Sequence, residues 1–169
     1  MKKLNNQGFL LVETLIVSVF VMTTLLFIFI QFQKLDSSYK RTLKYNTTDG
    51  LYAVYNIRQY ILTNGYTDLI SDFIVLDDPY LNISSCPSTS LTNVEYCAAL
   101  VTSLQIKSLI LIDENPSEFI ATLPNVSIIS EEMKDFIKYI NYDNNVGEYR
   151  LVAEFTDGTF ATLKIFEGI

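Results

Sequence analysis

The chain reads as an α+β protein: a long N-terminal helix, its first half apolar enough for a membrane, packed on a small antiparallel sheet that ends in a C-terminal hairpin. Three observations predict this. From Phe9 to Ile30 the sequence holds one charge, Glu13, in a run of the length (about 20 residues) that a bilayer-spanning helix needs. Beyond it, Phe32, Leu35, Tyr39, Leu43, Leu51, Val54, Ile57 and Ile61 recur mostly at spacings of three and four, which places them on one helical face. At the other end, alternating runs over Glu148–Phe155 and Phe160–Phe166 flank Asp157-Gly158, a strong hairpin signal.

Taken in order, residues 9–30 are the apolar segment and 31–64 its amphipathic continuation, stopped by Asn64-Gly65. Asn46-Thr47-Thr48-Asp49-Gly50 is a row of poor helix formers. Either the helix passes through with a kink or it ends near Tyr45 and restarts near Asp49; passage is the reading preferred, giving a helix of about 80 Å at 1.5 Å per residue. Residues 65–169 are the small α+β domain, large enough for one core. Within it, Asp68–Ile74 reads as a short helix, Asp77-Asp78-Pro79 as a turn, and Thr92–Gln105 as a helix capped by Thr92 or Asn93. Lys107–Ile112 suits a buried strand, Pro116–Leu123 a helical turn with proline first, and Val126–Ile129 a strand. Ser130–Ile140 has a serine cap, Glu131 and Glu132 in its first turn, and Met133, Phe136, Ile137 and Ile140 on one face. Tyr52, Tyr55 and Tyr60 lie on the second half of the long helix; packing against the sheet is the ordinary reading and a partner-binding patch the alternative.

Composition excludes much chemistry. The formal charge is −7 and the chain has no His. The commonest general base and metal ligand is therefore missing, and no Ser/His/Asp or Cys/His set can form. Six scattered glycines build no phosphate loop. No catalytic residues, cofactor or metal are expected, and an acidic domain argues against direct nucleic-acid binding. Asp143–Glu148 is an oxygen-rich loop without the spacing of the twelve-residue calcium loop. Cys86 and Cys97 are the only cysteines; on the outer side of a membrane they are candidates for a disulfide, the alternative being two unpaired thiols. Without His they offer too few ligands for zinc.

Glu13 carries the functional reading. A charge at the centre of a membrane helix costs about 2.5–3.5 kcal/mol, and less near its end. No Lys, Arg or His lies inside the run to pair with it, so the partner comes from elsewhere. A secretory signal has a shorter apolar stretch and a small-residue cleavage site, which Phe29-Ile30-Gln31-Phe32 does not supply. A plain signal anchor fits the length but leaves Glu13 unexplained.

Lys2 and Lys3, the Gly8-Phe9 junction, Glu13 and the length of the run together resemble the N-terminus of type IV prepilins and of the pseudopilins of type II secretion and competence systems. Leu10 and Gln7 stand where that family often has Thr or Ser and Lys or Arg. The resemblance implies a leader, residues 1–8, cut after Gly8 by a prepilin peptidase. It implies N-methylation of Phe9, and a role for Glu13 in assembly and axial register by meeting the Phe9 amine of a neighbour. The partners it implies are other pilin or pseudopilin subunits, an inner-membrane assembly platform and membrane lipid. The fold it implies is the same long helix on a small sheet. The implied location is the cytoplasmic membrane, single-pass, with the N-terminus inside and the domain outside, then an extracytoplasmic filament. Charge counting does not itself give that orientation, because Lys34, Lys40, Arg41 and Lys44 follow the run. The missing mid-helix proline leans towards a minor or pseudopilin subunit. The competing reading is a single-span anchored domain that binds at the surface without polymerising.

Overall fold

The computed structural model describes residues 6–76, 78–145 and 147–166, with the side chains of 6–11 and 40–42 left aside. The chain divides into two compact units at Leu43/Lys44. The first is one helix, α1 (Asn6–Lys44). The second holds α2 (Thr48–Asn64), α3 (Tyr66–Leu76), β1 (Tyr80–Asn82), α4 (Val94–Ser103), β2 (Ile106–Asp113), α5 (Ser117–Thr122), a 3-10 turn at Leu123–Asn125, α6 (Glu131–Tyr139), β3 (Tyr149–Phe155) and β4 (Phe160–Ile165).

Uninterrupted passage through Asn46–Gly50 is not what forms. The helix stops at Lys44 and a new one begins at Thr48. Asn46 takes a left-handed conformation, φ 53°, which asparagine tolerates better than most residues. Its N–H donates to the Phe160 carbonyl at 2.7 Å, and its Oδ1 accepts from the Thr162 N–H at 3.0 Å. Tyr45 makes a parallel bridge to Phe160. Thr47 then caps α2, its Oγ1 accepting from the Gly50 N–H at 3.1 Å. The helix therefore breaks because its backbone is needed elsewhere: Tyr45 and Asn46 cover part of the outer edge of β4, a strand edge that would otherwise be open. Gly50 lets α2 lie close to the sheet, since a β-carbon there would come within 3.1 Å of the Ala161 Cβ and 3.2 Å of the Phe155 ring.

The four strands pair antiparallel in chain order, β1-β2-β3-β4. β3 and β4 form the expected Asp157-Gly158 hairpin, with Val152 opposite Thr162 and Ala153 opposite Ala161. Both faces of the sheet are covered. On one, Leu109, Leu111, Leu151, Ala153, Phe155, Ala161 and Ile165 pack with α2, α3 and α4. On the other, Ile110, Ile112, Val152 and Phe160 pack with Phe119, Leu123, Met133, Phe136 and Ile137. Alternation normally marks a strand with one wet face; here every residue of β3 is buried.

Several local expectations change. Val126–Ile129 forms bends, not a strand, and Ile129 instead fills the second core. Pro116 occupies the position before α5, one residue earlier than expected. Asn93 precedes α4 without a side-chain capping bond, and Thr92 instead bonds to the Asn64 carbonyl. Of the turn Asp77-Asp78-Pro79, Asp77 falls outside the described residues. Only Tyr60 of the three tyrosines packs inside, its hydroxyl donating to the Thr92 carbonyl at 2.6 Å; Tyr52 and Tyr55 are 67 and 50 % exposed.

Candidate functional site

The first unit offers an uncovered apolar helix with one carboxylate near its start. Leu, Ile, Val, Phe and Met side chains leave the helix backbone bonds intact and turn outward all round. Val12–Tyr39 has a mean hydropathy of 2.5 in its most apolar window, and none of that window is buried. A helix of 28 residues is about 42 Å long at 1.5 Å per residue, more than a hydrocarbon core of about 30 Å. The chain thus has a helix long and apolar enough to cross a membrane once.

Hydroxyl groups along it bond back to the helix's own carbonyls. Ser18 donates to the Leu15 carbonyl at 2.8 Å, Thr23 to those of Val19 and Phe20 at 3.0 and 2.9 Å, and Thr24 to that of Phe20 at 2.8 Å. Polar groups in lipid must find partners within protein. Glu13 has no such return path to the backbone, since a carboxylate only accepts. It is exposed on α1, one helical turn from Phe9 and on the same face by four-residue spacing. Gly8 and Phe9 belong to the helical backbone of α1. Met1–Asn5 of the leader lie outside the described residues. The arrangement can bind lipid or other apolar helices, and it can accept a cation at Glu13.

Cys86 and Cys97 are bonded to each other and both are buried. Their bridge ties the loop after β1 to α4, and it settles the choice between a disulfide and free thiols.

A charged cluster at one end of the sheet escaped the sequence reading. Glu114, 0 % exposed, accepts from Arg150 Nε at 2.7 Å and Nη2 at 2.6 Å, and from the Asp143 N–H at 3.1 Å. Lys164 Nζ lies 3.4 Å from it, 3.2 Å from Glu148 Oε2, and also bonds Asp143. The Arg150 guanidinium sits over the Tyr142 ring at 5.5 Å. Burial pushes the Glu114 carboxyl up, but the bonds from Arg150 and Asp143 and the charges of Arg150 and Lys164 bring it below its ordinary value. Bonding to Asp143 chiefly, and then to Glu148, raises Lys164 to about 12. The oxygen-rich loop weighed as a calcium site therefore has two of its carboxylates on Lys164. The available signal was Arg150, a charge near the start of a mostly apolar strand.

A second polar link holds α6. Glu154 accepts from Lys107 Nζ at 2.6 Å and from Ser130 Oγ at 2.9 Å, while the same Ser130 oxygen caps α6 by accepting from the Met133 N–H at 3.1 Å. Among the described residues, no group of three or more His, Cys, Asp or Glu is placed to hold a metal ion.

No protein-family model, curated protein or solved structure matches this chain.

Proposed function

We propose that the chain is a non-catalytic structural subunit, a minor pilin or pseudopilin, of a membrane-anchored filament of the type IV pilus, competence or type II secretion kind. The observation that carries this reading is the uncovered apolar helix bearing one unpaired-in-sequence carboxylate, Glu13, five residues after the Gly8-Phe9 junction. A prepilin peptidase at the cytoplasmic face cuts after Gly8. Hydrolysis of the Gly8-Phe9 peptide bond removes Lys2 and Lys3 with the leader and frees the Phe9 amine, which is then methylated. With the assembly platform, helices leave the lipid and bundle with their apolar runs inward. The Phe9 amine of one subunit meets the Glu13 carboxylate of another. In a dry bundle that pair carries a large desolvation cost along with its attraction, so it sets axial register while apolar packing supplies most of the association.

Two measurements test the reading. Intact mass of the protein from its native membrane is expected to show loss of Met1–Gly8; retention of the leader in assembled material would count against it. Glu13→Ala is expected to leave membrane insertion intact or eased, while incorporation into filaments, read by shearing or crosslinking, falls sharply. A single-span anchored domain that binds at the surface without polymerising predicts normal function for this variant.

A further inference from the structure

Past the apolar run, α1 carries an apolar stripe whose far end lies beyond the lipid. Phe32, Leu35, Tyr39 and Leu43 share one helical face by their spacing. Leu35, Tyr39 and Leu43 are 68, 66 and 57 % exposed. Leu43 lies about 20 Å beyond Ile30 along the helix, whereas the headgroup layer on one side of a bilayer is only about 5–8 Å deep. With Ile30 at the edge of the hydrocarbon, a tilt of about 40°, the extreme for membrane helices, shortens that distance to about 15 Å, which still places Leu43 past the headgroups. The end of the stripe therefore stands in water unless protein covers it. The same stretch carries Lys34, Lys40, Arg41 and Lys44 against the single Asp36. A surface that complements it has apolar walls and an anionic rim.

The globular unit has a groove with an anionic rim, whose walls mix apolar side chains with Thr47, Gln105 and Thr159. The first turn of α2, the residue following α4 and the β3–β4 turn enclose about 450 Å³, lined by Ala53, Leu104 and Phe155, with the exposed ring of Tyr52 and the carboxylates of Asp49 and Asp157. Bonds from the Thr159 hydroxyl and N–H, 2.7 and 2.8 Å, keep Asp157 ionised. Six of the seven cations of this unit are engaged elsewhere: Lys107 with Glu154, Lys134 with Glu131, Lys138 with Asp135, Arg150 and Lys164 with Glu114, and Arg58 over the Phe166 ring; the seventh is Lys44, at the end of α1. Residues 45–169 hold 17 acidic side chains against these six basic ones. None of these six pairs with Asp49 or Asp157, so the groove's charge is open to a further cation.

We infer that the segment Phe32–Lys44 of one subunit docks on the Asp49–Asp157 groove of a second copy of this chain. The groove holds one or two large side chains, not a whole helix. Tyr39 and Leu43 insert between Tyr52 and Phe155, and the neighbouring lysines meet the two carboxylates. This rests on the filament reading and adds a second interface outside the membrane.

The test uses the full chain in its native membrane, with a photoreactive benzoylphenylalanine placed either at Tyr39 or, within the apolar run, at Phe20. Crosslinks from Tyr39 are expected to join two copies and to map to peptides containing Tyr52 or Asp157. The double variant Asp49→Asn/Asp157→Asn, which keeps the acceptor oxygen of the hairpin turn, is expected to lower that yield by roughly tenfold while crosslinks from Phe20 are unchanged. Raising the salt concentration is expected to lower it too. Phe20 joining copies while Tyr39 joins none, links elsewhere, or is insensitive to the double variant overturns this interface and leaves the filament standing. Failure of both positions to join two copies overturns the filament reading and the interface with it.

Discussion

The apolar run of α1 and the central strand β3 handle charge in opposite ways. β3 carries two charges in seven residues, yet every one of its side chains is buried. The run from Phe9 to Ile30 carries one charge, yet the most apolar window of this helix has no residue buried. Hydropathy alone would rank their burial the other way round. What decides is the supply of partners. Arg150 meets Glu114, and Glu154 meets Lys107 and Ser130, so the second unit satisfies its buried charges within itself. Glu13 has no cation in its own run, so the first unit depends on its surroundings for both its charge and its apolar surface.

The largest effect expected from this contrast is on solubility. A chain starting at Lys44 keeps Tyr45, Asn46 and the whole second unit. It is expected to be a soluble, cooperatively folded monomer by size-exclusion chromatography and circular dichroism. The full chain is expected to need detergent or lipid, because its uncovered apolar surface far exceeds what soluble monomers tolerate. Aggregation of the shortened chain would show that the second unit is not self-sufficient.

Next in size is the loss of the buried charge pair. Glu114→Ala leaves Arg150 without its counter-charge, and removing one partner of such a pair costs about 3–5 kcal/mol. That is a large fraction of the roughly 5–15 kcal/mol that holds a domain together, and urea unfolding of the shortened chain measures it. The pH dependence has a definite sign. The carboxyl is held below its ordinary value of 4.5 when folded, so the unfolded chain binds protons first as pH falls. This contribution is complete above about pH 4.5 and is lost as pH falls through the depressed folded value. Lys164, raised from 10.5 to about 12, acts in the opposite window. Its contribution is complete below about pH 10.5 and is lost as pH rises through about 12. Glu114→Ala is expected to flatten the acid limb; an unchanged acid limb would show that the cluster does not govern it.

The disulfide comes third. Cys86 and Cys97 are 11 residues apart, and closing such a loop is worth about 2–3 kcal/mol in the chain-entropy model. The variant Cys86→Ser/Cys97→Ser is expected to lose that much in the same urea experiment. Non-reducing peptide mapping of protein exported in its host is expected to recover the linked pair.

Which parts of this were legible in the sequence follows the range of the forces involved. The apolar run, the Ser130 cap, the Asp157-Gly158 hairpin and the stop at Gly65 are set by neighbouring residues, and a pattern reads them. Gly65 illustrates this: its φ of +141°, at the end of α2, suits glycine. β1 was missed because it has three residues and exists by pairing Leu81 with Leu111. Val126–Ile129 has the β-branched look of a strand, but propensity of that kind yields to context, and here Ile129 is taken into the core beneath α6. The helices α5 and α6 were legible, but not that they cover the second face of the sheet, because Arg150 and Glu154 look like the wet face of an alternating strand. Only their partners, 36 and 47 positions away for Glu114 and Lys107, make burial affordable. Of the candidate site, Glu13 was legible because its anomaly is local, whereas the groove at Asp49 and Asp157 joins residues more than a hundred positions apart.

The smallest effect bears on the boundary between the two regions. If the helix breaks where it does because Thr47 starts α2 anew, then removing its hydroxyl should weaken that start without touching the core. Thr47→Ala loses the bond to the Gly50 N–H, and a lost N-cap costs about 1 kcal/mol. Thr47→Ser keeps an oxygen in the same place and should stay within a few tenths of wild type. Hydrogen exchange locates the effect: the Gly50 amide is expected to exchange faster in the alanine variant, while amides of β3, which report global unfolding, shift only by the change in overall stability. Equal loss in the serine and alanine variants would mean that the methyl group, not the hydroxyl, matters. Unchanged Gly50 exchange in the alanine variant would mean that the bonds of Asn46 to Phe160 and Thr162 hold the break by themselves.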